Sequence, residues 1–338
     1  MLRSPSLSLA GAFGVLLLVA MLTLMWGQYP VDTQTLWEFA RCKFFGGEAQ
    51  ADYALLENII VEIRLPRILL SMLIGAALAT SGAAFQAMFV NPLVSPGILG
   101  VLAGASFGAA LGMLVSEQWW IVQLLAFGFG FVAVGFAVMV GSMVRSGRSS
   151  IMLVLGGVIS GSLFTALLSV IKYVADPYST LPAIVYWLMG SLSMADLDGV
   201  SLAAVPILLS VGGLVMLGKY FDLLSLGDEE ARALGINVTR IRLTAIVLAT
   251  LAGSLSVVMA GIIGWVGLII PHIVRMVFGP SHTLLLPLSA IAGAAFLLLA
   301  DSVSRLAMNV EIPIGILTSL IGIPIFIFVL RNARAAWN

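Results

Sequence analysis

Phe221–Arg242 reads FDLLSLGDEEARALGINVTRIR and holds seven of the chain's 16 basic and 16 acidic side chains, with uncharged apolar runs on both sides. Asp228, Glu229 and Glu230 crowd together after Gly227, and Ala231, Arg232, Ala233, Leu234 and Gly235 follow. Acids in a first turn suit the positive end of a helix dipole. Asp228 and Arg232 lie four apart on one face, and Gly235 suits the position after a helix end. These features predict one short amphipathic helix, Asp228–Leu234, and a second helical start near Thr239 that runs into the next apolar segment. Ala231 and Leu234 give the short helix an apolar face too small to be a core of its own. Two readings stand: a solvated loop between two spans, or a docking surface for a soluble partner.

The flanking runs set the class. The chain has 338 residues, 61% of them hydrophobic and 9% charged, against about a quarter charged in an ordinary soluble domain. This is the composition of a polytopic, all-α membrane protein. Net charge is zero, which offers no basic face to nucleic acid. Cys42 is the only cysteine, so an internal disulfide and any multi-cysteine metal site are excluded. Arg3 precedes an apolar core, Leu7–Trp26, that no A-x-A cleavage pattern follows. It is expected to be an uncleaved first span, with Trp26 and Tyr29 as interface anchors.

A span needs roughly 17–25 apolar residues. The candidates are Leu7–Trp26, Ile68–Ala84, Ile98–Val115, Trp119–Val140, Ile151–Ile171, Val200–Leu217, Leu243–Met259, Ile262–Phe278, Leu284–Ala300 and Ile312–Leu330. Leu243 to Val274 carries no charge over 32 residues, about 48 Å of helix, too long for one crossing of a roughly 30 Å core. Gly261, Gly264 and Gly267 offer the break. About ten spans in one transmembrane domain, 1–338, are therefore expected. With the N-terminus cytoplasmic, ten of the 16 basic residues fall inside and twelve of the 16 acidic residues outside, as the positive-inside bias requires. Both termini and the segment 221–242 then face the cytoplasm. The outside segments are 28–67, where Asp32 resembles an N-cap before a surface helix, and 173–199, where Leu181–Leu192 is too short to span and reads as an interfacial helix.

Several separated motifs resemble, in order, the permeases that import iron chelates, haem and cobalamin through ATP-binding cassette machines. They are RLPR (Arg64–Arg67), SGAAFQAMFVNPLVSPGILG (Ser81–Gly100), LGDEEARALGINV (Leu226–Val238), GLIIPHIVR (Gly267–Arg275), ADSVSRL (Ala300–Leu306) and EIPIGILTSLIG (Glu311–Gly322). In that family two short cytoplasmic helices between spans six and seven sit in a groove of the ATPase. The resemblance thus implies a coupling role for Asp228, Glu229, Glu230, Ala231, Arg232, Leu234 and Gly235. It implies an inner gate at Asn91, Leu93, Ser149 and Ser150, where a plain turn is the competing reading. It implies that arginines 64, 67 and 305 receive glutamates of a periplasmic binding protein. For Arg305 the alternative is a local ion pair with Asp301, four residues earlier. The expected machine is a homodimer in the inner membrane with two ATPase subunits and a periplasmic substrate-binding protein. It catalyses no reaction itself and has no cofactor.

The residues exclude other chemistries. No glycine-rich stretch leads into Lys-Ser or Lys-Thr, so there is no P-loop, and His272 and His282 lie ten apart without H-E-x-x-H. A helix-end histidine satisfied by backbone is the plain reading of His272, and a ligand or proton relay the other. An ion-coupled secondary transporter, the alternative function, keeps ionisable residues inside its spans, whereas these interiors hold Gln86, Gln123 and scattered Ser and Thr. A membrane enzyme lacks its nucleophile–base or metal constellation. Small residues such as Gly100, Gly104 and Gly108 point to close helix packing. The substrate follows only from the resemblance: a ferric siderophore, haem, cobalamin or, in the branch the whole chain is most similar to, molybdate or tungstate.

The orientation makes a first prediction. In a Cys42→Ser background, Glu230→Cys should resist a membrane-impermeant thiol reagent in intact cells while Asp52→Cys reacts. Labelling of position 230 from outside would reverse the topology.

Overall fold

The computed structural model describes residues 5–27, 29–45, 52–143, 150–308 and 310–336, and the regular structure among them is helical. Helix α1 (Pro5–Met25) matches the first expected span. Helix α2 (Thr33–Phe45) is the surface helix expected after Asp32. Its start is fixed by the Asp32 carboxylate, which accepts from Thr35 N at 2.7 Å; hydrogen bonds from Thr35 hold that carboxyl below the usual aspartate value. An ion pair between Lys43 and Glu57 ties α2 to α3 (Tyr53–Glu57).

The second expected span begins well before Ile68. Helix α3, a π-helical stretch (Asn58–Arg64) and α4 (Leu65–Met88) continue as one 36-residue rod. Pro66 has no N–H, and inside an α ladder it would break the rod. The wider π ladder, with Leu65 N donating to Ile60 O, shifts the bonding register just ahead of the proline. The missing donor then falls in the first turn of α4, where it is needed least.

After a tight turn come a short 3-10 stretch (Pro96–Leu99), Gly100 at φ +83° and α5 (Val101–Val115). Then follow α6 (Trp119–Met143), α7 (Ser150–Val174), α8 (Thr180–Leu188) and α9 (Leu197–Met216). The chain continues through α10 (Gly218–Leu224), α11 (Asp228–Ala233), α12 (Val238–Ala260), α13 (Val266–Phe278), α14 (His282–Leu306) and α15 (Ile314–Ala336). Helix α8 overlaps the interfacial segment expected at Leu181–Leu192, starting one residue earlier and ending four sooner. Among the described residues seven helices are long and apolar enough to cross a membrane, and three shorter apolar ones, Val101–Val115, Val266–Phe278 and Ile314–Phe328, coincide with the other expected spans. The long uncharged run does break where glycines were expected to break it: α12 ends at Gly261, with φ +68°, and the helix resumes at Val266.

The core is organised on α4, which packs on α9, α12, α13 and α14. Most of its length is buried, with Leu70, Ile74, Ala77 and Ala79 wholly so. Two glycine crossings bring backbones together. A Cβ on Gly75 would lie 2.2 Å from the Gly293 carbonyl oxygen of α14, and one on Gly82 would lie 1.8 Å from that of Gly267 in α13. Helix α5 meets α6 in the same way, since a Cβ on Gly104 or Gly108 would strike the Phe129 or Leu125 carbonyl at 2.3 or 2.2 Å. The packing reading of these small residues is the one the structure displays.

A third backbone junction joins the broken ends. Ser191 N donates to Ala260 O at 2.9 Å, Ile314 N to Gly190 O at 3.1 Å and Gly315 N to Met189 O at 3.1 Å. The end of α8, the end of α12 and the start of α15 are thereby tied without a side chain.

The crossings predict opposite outcomes for two glycines. Gly75→Val should lower the midpoint of thermal unfolding in detergent sharply, since overpacking a well-filled site costs about 1–3 kcal/mol or more. Gly128→Ala, where a Cβ meets nothing within 4 Å, should leave the midpoint unchanged or raised. Equal midpoints for the two variants would contradict the crossing.

Candidate functional site

The opening stretch folds into two short helices, α10 and α11, set against the ends of α4, α12 and α14. The residue pattern gave only α11, while the resemblance implied two short helices; the spacing of Phe221 and Leu224, both buried, was the signal for α10. Its Asp222 carboxylate accepts from His282 N at 2.6 Å and contacts His282 Nδ1 at 2.9 Å, which ties α10 to the first residue of α14. Helix α11 runs one residue shorter than expected. Gly235 takes φ +83°, and Ile236 N reaches back to Ala231 O at 3.0 Å, closing the end as a glycine cap does.

Two details differ from expectation. The principal partner of Asp228 is Arg242 on α12, whose two Nη atoms each donate to a carboxylate oxygen at 2.7 Å. Such bidentate pairs are strong and directional. The Arg232 contact is 3.8 Å long and half-exposed, and so contributes little. Ala231 and Leu234 do not share a face. Ala231 is fully buried in the chain's own core beside Met88, Phe221, Leu224 and Val238, whereas Leu234 is 59% exposed, as is Leu226. Glu229, Glu230 and Arg232 are exposed. The outward apolar surface is therefore Leu226 and Leu234, on a base fixed by two charge contacts.

The turn that carries two of the gate candidates sits beside that base. Phe89 and Val94 belong to the same buried cluster, and the turn between them carries Asn91 and Leu93, both exposed. Asn91 Oδ1 accepts from Leu93 N at 2.9 Å, and Val90 adopts φ +48°. Ser149 lies outside the described residues, and Ser150 opens α7.

At the other end of α4 the arginines are already engaged. Arg64 is buried, and its guanidinium donates to the carbonyls of Leu24, at 2.6 Å, and Tyr29, capping the end of α1. Arg67, also buried, donates through Nε to Asp301 at 2.8 Å and through both Nη atoms to Glu311 at 2.9 Å. Arg305 donates to the other Asp301 oxygen at 3.1 Å, the local pair that sequence spacing offered as its alternative. The expected exposed guanidiniums at 64 and 67 are absent, because the rod begins at Tyr53 and places both residues about three turns inside it. Arg67, Asp301, Arg305 and Glu311 instead lock α4, α14 and the lead into α15.

His272 departs from its plain reading: it is buried, and its Nδ1 has no hydrogen-bond partner among the described residues. Its neighbour Arg275 donates to Gln86 Oε1 at 2.8 Å, and Gln86 Nε2 reaches Leu268 O at 3.2 Å. Gln86 thus joins α4 to α13.

An open groove of about 630 Å³ runs along α7 and the Pro96–Leu99 turn. Gly157, Gly161, Ser162, Thr165 and Ser169 line it with small and hydroxylated side chains and no charge. These serines and threonine had been read only as scattered polar residues, because their alignment depends on the helical phase of α7.

A model of the FecCD transport family matches residues 15–332. Over 327 residues the chain is 38% identical to the molybdate import system permease protein of Haemophilus influenzae, covering 96% of this chain and 95% of that one. It is 37% identical over 286 residues to the vitamin B12 import system permease protein of Salmonella paratyphi A, covering 82% and 85%. A solved structure described as an inward-facing conformation of a metal-chelate type ABC transporter superposes with TM-score 0.86 at 36% identity, covering 96% of this chain and 98% of that one.

The charge network predicts a graded response. Asp301 is almost wholly buried between two guanidiniums, and removing one partner of a buried pair costs about 3–5 kcal/mol. Asp301→Asn should therefore unfold at a much lower temperature than the parent, while Glu311→Gln, at a side chain 37% exposed, should lose far less. The reverse order would contradict the assignment.

Proposed function

The chain belongs to the FecCD transport family, and on that footing we propose that it works as a homodimer in the inner membrane, driven by two ATPase subunits and fed by a periplasmic binding protein. Family members are multi-pass permease subunits of ABC importers for metal-chelate, vitamin or molybdate-type substrates, and are not themselves enzymes. The observation that carries the reading is the braced pair α10–α11, which presents Leu226 and Leu234 outward on a base fixed by Asp228–Arg242 and Asp222–His282. An exposed apolar contact on a rigid support suits a permanent seat for a soluble subunit. In this reading all ten apolar segments cross, both termini are cytoplasmic, and the turn at Asn91 and Leu93 with Ser149 and Ser150 forms the inner gate. ATPase movement reaches that turn through the shared cluster of Phe221, Ala231, Met88 and Phe89. The binding protein docks on the opposite face. There Arg64 and Arg67 act from beneath the surface, shaping it by holding α1, α4 and α14 together, while Arg305 lies beside them.

The favoured substrate is a molybdate-type oxyanion. The α7 groove offers hydroxyl donors to oxyanion oxygens without a fixed charge that would retain them, and the near full-length match to a molybdate permease points the same way. Reconstitution with the ATPase and binding protein tests both levels together. Wild type should accumulate molybdate, with tungstate competing. Leu234→Asp should insert normally yet lose the ATPase on purification and lose all uptake, because docking would bury an unpaired carboxylate. Ala231→Asp should fail earlier, as a folding defect. Glu229→Gln should be close to wild type, since an exposed charge contributes little. Normal uptake by Leu234→Asp overturns the coupling surface; uptake of cobalamin, haem or a ferric chelate in place of molybdate overturns the substrate alone.

A further inference from the structure

A separate cavity of about 220 Å³ lies behind α11, between the ends of α4, α6 and α12. Met88, Phe89, Val138, Leu153, Leu243 and Ile246 give it apolar walls, and Arg232 and Arg242 stand at its edge. A guanidinium donor there is left over. Both guanidiniums share the single carboxylate of Asp228, and Arg242 Nε is buried with no acceptor among the described residues. The helix ends around the cavity are those expected at the cytoplasmic surface, the level of inner-leaflet headgroups. Apolar walls under two cationic side chains match a molecule with an apolar chain and an anionic head. Basic pockets between helices on the cytoplasmic side are where anionic headgroups bind.

We propose that this cavity binds an anionic phospholipid of the inner leaflet, its chain between α4, α6 and α12 and its phosphate on Arg232 and Arg242. This rests on the orientation given above, with α10–α11 in the cytoplasm. The headgroup supplies the acceptor that Arg242 Nε lacks, and it bridges α11 to α12 directly behind the surface offered to the ATPase.

Native mass spectrometry of the permease, released from phosphatidylcholine vesicles doped with phosphatidylglycerol, tests the site without any transport assay. Wild type should retain phosphatidylglycerol in preference to phosphatidylcholine. Leu243→Trp, which adds bulk from a wall position that is itself half-exposed, should lose that retention. Arg232→Gln should weaken it about fivefold, the effect of one basic residue at a headgroup. Equal retention of the two lipids, no retained lipid, or retention unaffected by both substitutions overturns the proposal. So does loss of the lipid from wild type when the ATPase is added, because the guanidiniums would then belong to the protein partner. Thiol labelling of position 230 reports orientation separately, so a wrong topology and an empty cavity give different results.

Discussion

The close passage of α4 against α13 and α14 sets the geometry of everything else. Inside a bilayer, helices gain little from hiding apolar side chains from lipid, and close van der Waals packing takes over. At Gly75–Gly293 and Gly82–Gly267 the approach is so near that a single Cβ would overlap a carbonyl oxygen. One long rod can therefore run through the centre of the bundle. Each of its ends carries a charged cluster, Arg67 with Asp301 and Glu311 at one, and the seat of α10–α11 at the other. Gln86, near the second end, fastens the rod to α13 with a side chain that bonds both backbone and Arg275.

Much of this was legible in the sequence, for reasons that can be stated residue by residue. Long apolar runs dictate helices in lipid because every backbone group must be satisfied within its own segment. The break at Gly261 could be found because 32 uncharged residues exceed one crossing. Asp228–Glu230 and Gly235 marked the ends of α11 because capping and dipole effects act within one turn. The errors lie where a local rule was carried beyond its element. Ala231 and Leu234 are three apart and would share a face in a longer helix, but Leu234 is already the cap residue, at φ −80° and ψ 9°. Arg64 and Arg67 read as span-end charges because the apolar run begins at Ile68, whereas the helix begins at Tyr53 and a π stretch carries it on to α4.

The two functional ends differ in how they use charge. At the α10–α11 end, Asp228 and Asp222 each fasten a short helix to a long one, which leaves Leu226 and Leu234 exposed. At the other end of α4 the same chemistry is turned inward: Arg64 caps the carbonyls closing α1, and Arg67 commits its whole guanidinium to two acids from the α14–α15 region. The α7 groove between them carries no charge at all. Fixed charges thus hold the scaffold, and the groove along α7 is lined by hydroxyls and glycine.

The junction of α8, α12 and α15 bears on how such a protein can change over evolutionary time. Its three links are peptide hydrogen bonds, and its close contacts are between backbones, as where a Cβ on Gly315 would lie 2.4 Å from the Ile262 carbonyl oxygen. A linkage written in the main chain is indifferent to which side chains surround it, provided the glycines remain. Side chains around the junction can then drift in size or charge without loosening the joint. Diversity of cargo and constancy of machinery become separable in the same polypeptide.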